Sequence, residues 1–108
     1  MTNAVTNALP IAQTPEDSCG SILKLLADDT RLRVVLQLLE GPKHVKEINA
    51  AVAVEQSLLS HHLKVLRDGG IVEAERDGKG VLYRLSPSVE ARRAGRSLDL
   101  GCCRLSFD

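Results

Sequence analysis

At 108 residues and 44 % apolar side chains the chain is sized for one compact domain with its own core. One Tyr, one Phe and no Trp mean that this core must be aliphatic. Fourteen basic and fourteen acidic side chains cancel to zero net charge; the basic excess usual in nucleic-acid binders is absent, so any phosphate contact must rest on how charge is placed on one face.

Met1 to Gln13 is polar, rich in small residues and contains Pro10, the composition of a mobile N-terminal tail over residues 1–13. It lacks the basic-then-apolar order of a secretory signal. No later stretch approaches the ~18 consecutive apolar residues of a membrane span. The expected compartment is therefore the cytosol, with reduced thiols and no membrane partner.

Thr14-Pro15-Glu16-Asp17 is a helix start, with an N-cap candidate, proline at N1 and acids in the first turn. Ile22, Leu23, Leu25 and Leu26 carry that helix to about Ala27. Asp28-Asp29-Thr30 restarts the chain; Leu32, Val35, Leu36 and Leu39 repeat at helical spacing until Gly41-Pro42 stops them. A short third helix covers about Val45 to Val52. A fourth runs from about Glu55 to Asp68 and ends at Gly69-Gly70. The period then changes: Ile71 to Arg76 alternates as a half-buried strand does, Asp77-Gly78-Lys79-Gly80 is a turn, and Val81 to Leu85 returns as the second strand of a β-hairpin. Ser86-Pro87 starts a last helix, expected to run through about Ser97 although Gly95 weakens it. Beyond Gly101, alternation of Cys103, Leu105 and Phe107 suggests an extended tail or short strand.

The expected fold is thus mainly α with a β-hairpin wing, a winged helix-turn-helix in the order α-α-α-α-β-β-α. Its DNA-binding and dimerisation domain spans residues 14–98, and a C-terminal tail with the cysteine pair spans 99–108. In the fourth helix Val54, Leu59, Leu63 and Leu66, flanked by Leu58 and Val65, form the inward face. Gln56, Ser57, Ser60, His61, Lys64 and Arg67 step by three and four along the opposite face. The first turns of that face offer short hydrogen-bonding groups and the later turns offer cations. A helix entering the major groove needs this gradient, bases being read near its N-terminal end and phosphates met further along; Gln56 is suited to pair with adenine N6 and N7. The hairpin tip adds Lys79 beside Arg76 and Arg84, cations suited to the minor groove. The expected partner is double-stranded operator DNA.

Leu26-Ala27-Asp28-Asp29-Thr30-Arg31-Leu32-Arg33, Gln56-Ser57-Leu58-Leu59-Ser60-His61-His62-Leu63-Lys64-Val65-Leu66, Gly70-Ile71-Val72 and Tyr83-Arg84-Leu85 together resemble the ArsR/SmtB repressors, over about Ser21 to Leu85. The resemblance implies a homodimer built through the first and last helices and a repressor released from DNA when an inducer binds. Ala53 and Glu55 depart from it, standing where the family commonly has Gly and Ser; Glu55 is the poorer N-cap and puts a negative charge near the DNA. The apolar residues of the first helix, Ile22, Leu25 and Leu26, are expected to supply dimer surface.

The resemblance also implies metal sites that this chain lacks. Where many members carry a cysteine pair on the third helix, His44 and Lys46 stand here. Where others use Asp and His on the last helix, residues 87–99 contain no histidine. His61 and His62, on the recognition helix, suit DNA contact or packing better than ligation. Cys19, Cys102 and Cys103 remain. Neighbouring residues have Cα atoms about 3.8 Å apart and relaxed disulfides prefer about 4.4–6.8 Å, so the adjacent pair favours bridging a large thiophilic ion over bonding to itself. The packing of first against last helix in the family's dimer implies that Cys19 lies near the pair. Three readings stay open: a soft-metal or arsenite inducer site at Cys19, Cys102 and Cys103; redox sensing through a disulfide between Cys19 and one tail cysteine; and apolar packing with no sensing role. No resident cofactor is required.

No nucleophile–base–acid constellation and no phosphate-cradling glycine loop is present, so the chain does not read as an enzyme. The rival class is a winged helix that binds protein instead of DNA, which zero net charge leaves open.

Overall fold

The computed structural model describes residues 19–107; the expected tail at 1–13 and the helix start at Thr14 to Asp17 lie outside the described residues. Helix α1 (Cys19–Leu26) buries Ile22 and Leu26, one turn apart on one face. Its successor α2 (Asp29–Leu39) begins where Asp28, in extended backbone, accepts the Arg31 N–H at 3.1 Å. This is the side-chain cap that orphan N–H groups at a helix start require. Val34, Val35, Leu38 and Leu39 of α2 are buried, and the helix ends against Gly41, whose φ of 133° suits glycine alone. A two-residue strand that sequence periodicity did not suggest, β1 (Lys43–His44), then leads into α3 (Val45–Val52).

Between α3 and α4 (Gln56–Asp68) lies the tight turn of the helix-turn-helix. Ala53 occupies it with φ 58° and ψ 48°, left-handed backbone that costs an L-residue roughly 1–2 kcal/mol. Its departure from glycine is therefore paid in strain. Asn49 Nδ2 braces the turn by donating to Val54 O at 2.9 Å. On α4 the core-facing residues are Leu59, His62, Leu63 and Leu66. The helix closes on Gly69, where a Cβ would lie 2.4 Å from Leu25 Cδ1, so glycine there lets α1 approach α4 closely.

Strands β2 (Val72–Asp77) and β3 (Gly80–Leu85) pair antiparallel from Val72↔Leu85 to Asp77↔Gly80, and β1 adds to the other edge of β3, giving the order β1-β3-β2. Gly78 at φ 63° turns the tip. The hairpin buries Val72, Tyr83 and Leu85 against the helices, and each fully buried aliphatic side chain contributes about 1.5–3 kcal/mol.

The expected last helix is corrected. Only one turn forms, α5 (Pro87–Glu90), with Val89 buried. The chain continues as an antiparallel meander of β4 (Arg93–Ala94), β5 (Ser97–Asp99) and β6 (Arg104–Ser106). The physical reason is legible in the residues. Between Val89 and Leu98 stands no large apolar side chain to make a helical stripe, and Gly95, at φ 63°, reverses the chain. After it, Leu98 and Leu100 are buried and Leu105 half-buried, a period of two at the first pair. The residues from 99 onward therefore continue the strand pairing begun at Arg93, and the extended tail expected from Cys103, Leu105 and Phe107 is strand β6. A dimer interface built on a long last helix finds no such helix among the described residues. The expectation for α1 also changes: Ile22 and Leu26 are covered by the chain's own core, Leu25 packs on Gly69, and Leu23, 36 % exposed, is the apolar residue left outward.

Candidate nucleic-acid interface and cysteine cluster

All eight side chains expected to meet DNA are exposed: Gln56, Ser57, Ser60, His61, Lys64 and Arg67 on α4, Arg76 and Lys79 on the wing. The six on α4 lie off its buried stripe of Leu59, His62, Leu63 and Leu66, and the wing begins at Val72, three residues past the Gly69 cap. Their present partners differ. Lys64 pairs with Asp68 at 2.7 Å, and the Ser57 hydroxyl donates to Glu55. Glu55 thus provides no side-chain cap to α4 and instead holds a side chain expected to read bases. Among the described residues Arg76 and Lys79 have no hydrogen bond or ion pair, while Arg84 is neutralised across the hairpin by Glu75.

One residue of α4 lies elsewhere than expected, and a second takes one of the two roles open to it. Leu58, assigned to the inward flank, is 43 % exposed next to Ser57 and one turn before His61; it offers apolar surface at the interface, and nothing in its residue type marked that. His62 is only 7 % exposed and faces the α1–α2 junction, whereas His61 faces outward. The signal for this was available: His62 falls about 100° round the helix from His61, toward Leu59 and Leu66.

The wing is tied to the start of α3. His44 Nε2 lies 2.8 Å from Asp77 Oδ2 and His44 Nδ1 3.3 Å from Glu47 Oε1. The hydrogen bond to Asp77, then that to Glu47, raises the His44 pKa above its ordinary value. With Lys46 and Lys79, His44 and Asp77 line a groove of about 260 Å³ between helix and wing.

The three cysteines, remote in sequence, come together. Cys19 lies in the first turn of α1, and Cys102 and Cys103 in the turn between β5 and β6, which Leu100 N–H closes on Cys103 O at 2.8 Å. Cys19 and Cys102 are joined as a disulfide with Cα atoms 6.1 Å apart. Cys103 Sγ lies 3.9 Å from Cys102 Sγ as an exposed free thiol. All three sulfurs fall within 4.8 Å of one another. The expected reduced thiols are thus not what the structure holds: two of the three sulfurs are bonded to each other, and only after reduction would three thiolates offer the donor set that soft ions select.

Residues 28–74 match the family described as "Bacterial regulatory protein, arsR family". The chain is 46 % identical over 70 residues to the HTH-type transcriptional repressor SmtB of Mycobacterium tuberculosis, a match covering 65 % of this chain and 52 % of that protein. It therefore spans about half the length of that relative. It is 36 % identical to the Biofilm growth-associated repressor of Agrobacterium fabrum, over 78 % of this chain and 72 % of that one. Among solved structures, the homodimeric winged helix-turn-helix DNA-binding domain of a possible ArsR-family regulator from Mycobacterium bovis superposes with a TM-score of 0.60 at 34 % identity, covering 66 % of each chain. The winged helix-turn-helix, the family match and the identity to repressors over most of a relative's length lead to one assignment: this chain is a member of the ArsR family of bacterial transcriptional regulators, which are not enzymes.

Proposed function

We propose that the protein is a homodimeric repressor that reads operator DNA with α4 and the wing and is released when a thiophilic ion binds Cys19, Cys102 and Cys103. The observation that carries the DNA reading is the α4 surface, on which Gln56, Ser57, Ser60, His61, Lys64 and Arg67 are all exposed, as are the wing cations Arg76 and Lys79. Gln56, Ser57, Ser60 and His61 present donors and acceptors to base edges, Lys64 and Arg67 meet phosphates, and Leu58 is placed to touch a thymine methyl. The homodimeric state of the Mycobacterium bovis neighbour supports a two-fold assembly. Recognition helices in such a dimer meet half-sites about one DNA turn apart.

The cysteines supply the inducer site. With the Cys19–Cys102 bond reduced, a soft ion would be held by all three sulfurs. The chain's own contribution is to hold the β5–β6 turn against the start of α1, so that occupation fixes one relative to the other. The Cys19–Cys102 bond favours a second reading, redox release: a hydroperoxide takes two electrons and two protons from the two thiols, leaving the disulfide, water and an alcohol.

The test is fluorescence anisotropy with duplex DNA. Binding through several phosphates weakens steeply with salt. Ser57→Ala or His61→Ala changes sequence preference, while Arg76→Ala or Lys79→Ala weakens all duplexes alike. Salt-independent binding, or a protein that captures no duplex, supports instead a protein-binding winged helix. With reduced protein, release by arsenite, cadmium or zinc that is lost in Cys102→Ser/Cys103→Ser identifies the ion site. Release by peroxide alone, dependent on Cys19, identifies the redox reading. Light scattering that shows an active monomer removes the dimer.

A further inference from the structure

Among the described residues, only His62 and Ser86 are buried polar side chains. Ser86 Oγ donates to Gly70 O at 2.7 Å, tying the start of α5 to the end of α4. The position of His62 is less easily accounted for. Its neighbours on the inward stripe are Leu59, Leu63 and Leu66, so a leucine at 62 would complete an apolar face. Instead, His62 Nδ1 lies 3.1 Å from Arg31 Nη1. A guanidinium only donates, so Nδ1 accepts and the ring proton sits on Nε2, which is directed to Asp28 Oδ1 at 3.8 Å. Arg31 Nε donates to Leu25 O at 2.6 Å, and Asp28 Oδ1 accepts Arg31 N–H. The cap of α2, the last turn of α1 and the middle of the recognition helix thereby share one set of hydrogen bonds.

Apolar burial has no direction; a helix seated on leucines alone can rotate or slide by fractions of an ångström at little cost. A hydrogen bond to a ring nitrogen has a direction, and a satisfied buried polar network specifies one arrangement. Base reading depends on that arrangement, because the acceptors and donors of a base edge sit at fixed positions in the groove, whereas a flexible lysine or arginine reaches a phosphate from many. We propose that Arg31 and His62 are positioning residues that fix the rotation of α4 about its axis, and so set sequence discrimination and not the strength of DNA binding as such. Neither touches DNA; they act through the placement of Gln56, Ser57, Ser60 and His61.

The experiment compares full-length wild type with His62→Leu and His62→Asn, using a duplex selected from a random pool by the wild type and a scrambled duplex of equal length. Asn Oδ1 takes the place of the ring Nδ1 and can accept from Arg31; Leu cannot. The thermal midpoint and the salt dependence on scrambled DNA report on fold and phosphate contacts. Expected for His62→Leu are a midpoint at or above wild type, unchanged affinity and salt slope on scrambled DNA, and a preference for the selected duplex at least ten-fold lower. Expected for His62→Asn is restoration of most of that preference. A purely structural role would not separate the two variants in this way. Retention of wild-type preference by folded His62→Leu overturns the proposal, as does a loss in His62→Asn equal to that in His62→Leu. If His62→Leu does not fold, Arg31→Met removes the donor while keeping the apolar stem; the same ten-fold loss supports the proposal and undiminished preference overturns it.

Discussion

The helix-turn-helix with its wing and the cysteine-bearing meander are held in opposite ways. Residues from α2 to β3 bury Val34, Val35, Leu38, Ile48, Val52, Leu59, Leu63, Leu66 and Val72 in one cluster. The meander buries Leu98 and Leu100, half-buries Leu105, and leans on a short ladder, an Arg93 bond to Leu39 O and the Cys19–Cys102 link. Dispersion and desolvation spread over many side chains make the first region indifferent to any one small ligand. The second depends on sulfur, whose bonding state changes with ions and oxidants. The proposed DNA reading sits on the more deeply buried region, and the proposed response where a single chemical event supplies much of the cohesion.

The sharpest way to break this comparison is to cut the core. Leu63→Ala, at a side chain 2 % exposed, is expected to cost about 2–5 kcal/mol in denaturant unfolding, and the half-buried Leu105→Ala far less. Equal losses would mean that the meander is as core-dependent as the helices. Next in size, Cys19→Ser in oxidised protein removes a link spanning 83 residues and is expected to cost about 2–4 kcal/mol. Amide exchange should show β5 and β6 opening first while α4 stays protected; uniform loss of protection would show one cooperative unit.

Smaller again, Ala53→Gly relieves the left-handed turn at φ 58° and is expected to stabilise by roughly 1 kcal/mol, a rise in midpoint that calorimetry can detect. Smallest is the wing tie. The folded pKa of His44 is raised, by Asp77 first, so its stabilising effect is complete below the unfolded value of about 6.5 and fades as pH climbs through the raised folded value. NMR titration should place the His44 transition above that of an exposed histidine and find it lowered in Asp77→Asn. An unchanged titration in that variant would detach the wing from α3. Lys46 and Lys79 line the same groove, so the comparison needs both left in place.

Most of the helix-turn-helix was legible because its signals are local: caps at Asp28, a glycine pair at Gly69-Gly70, and a switch from helical period to alternation at Ile71. The exposure of Gln56, Ser57, Ser60, His61, Lys64 and Arg67 follows from that period alone. The last helix is shorter than its start implies: Ser86-Pro87 is a genuine helix start, but no large apolar side chain follows from Glu90 to Ser97 to make a stripe. Strand β1 is too short to show a period. The Arg31–His62 contact joins residues 31 positions apart, and no local pattern encodes it. The convergence of the three cysteines, and a Cys19–tail disulfide as one open reading, were legible; which tail cysteine meets Cys19 is decided by the fold alone.

Helix α1 has eight residues, a rod about 12 Å long. At one end is Cys19. At the other is Leu25, whose carbonyl is held by Arg31 and whose side chain fills the space a Cβ at Gly69 would take. Two of its side chains, Ile22 and Leu26, are anchored in the core, and through Leu25 it touches the end of α4 at Gly69 and, by way of Arg31, the middle of α4 at His62. In the proposed response, chemical news at Cys19 has one short helix to cross before it meets the seat of the proposed reading helix, and Cys19 and Leu25 are six residues apart.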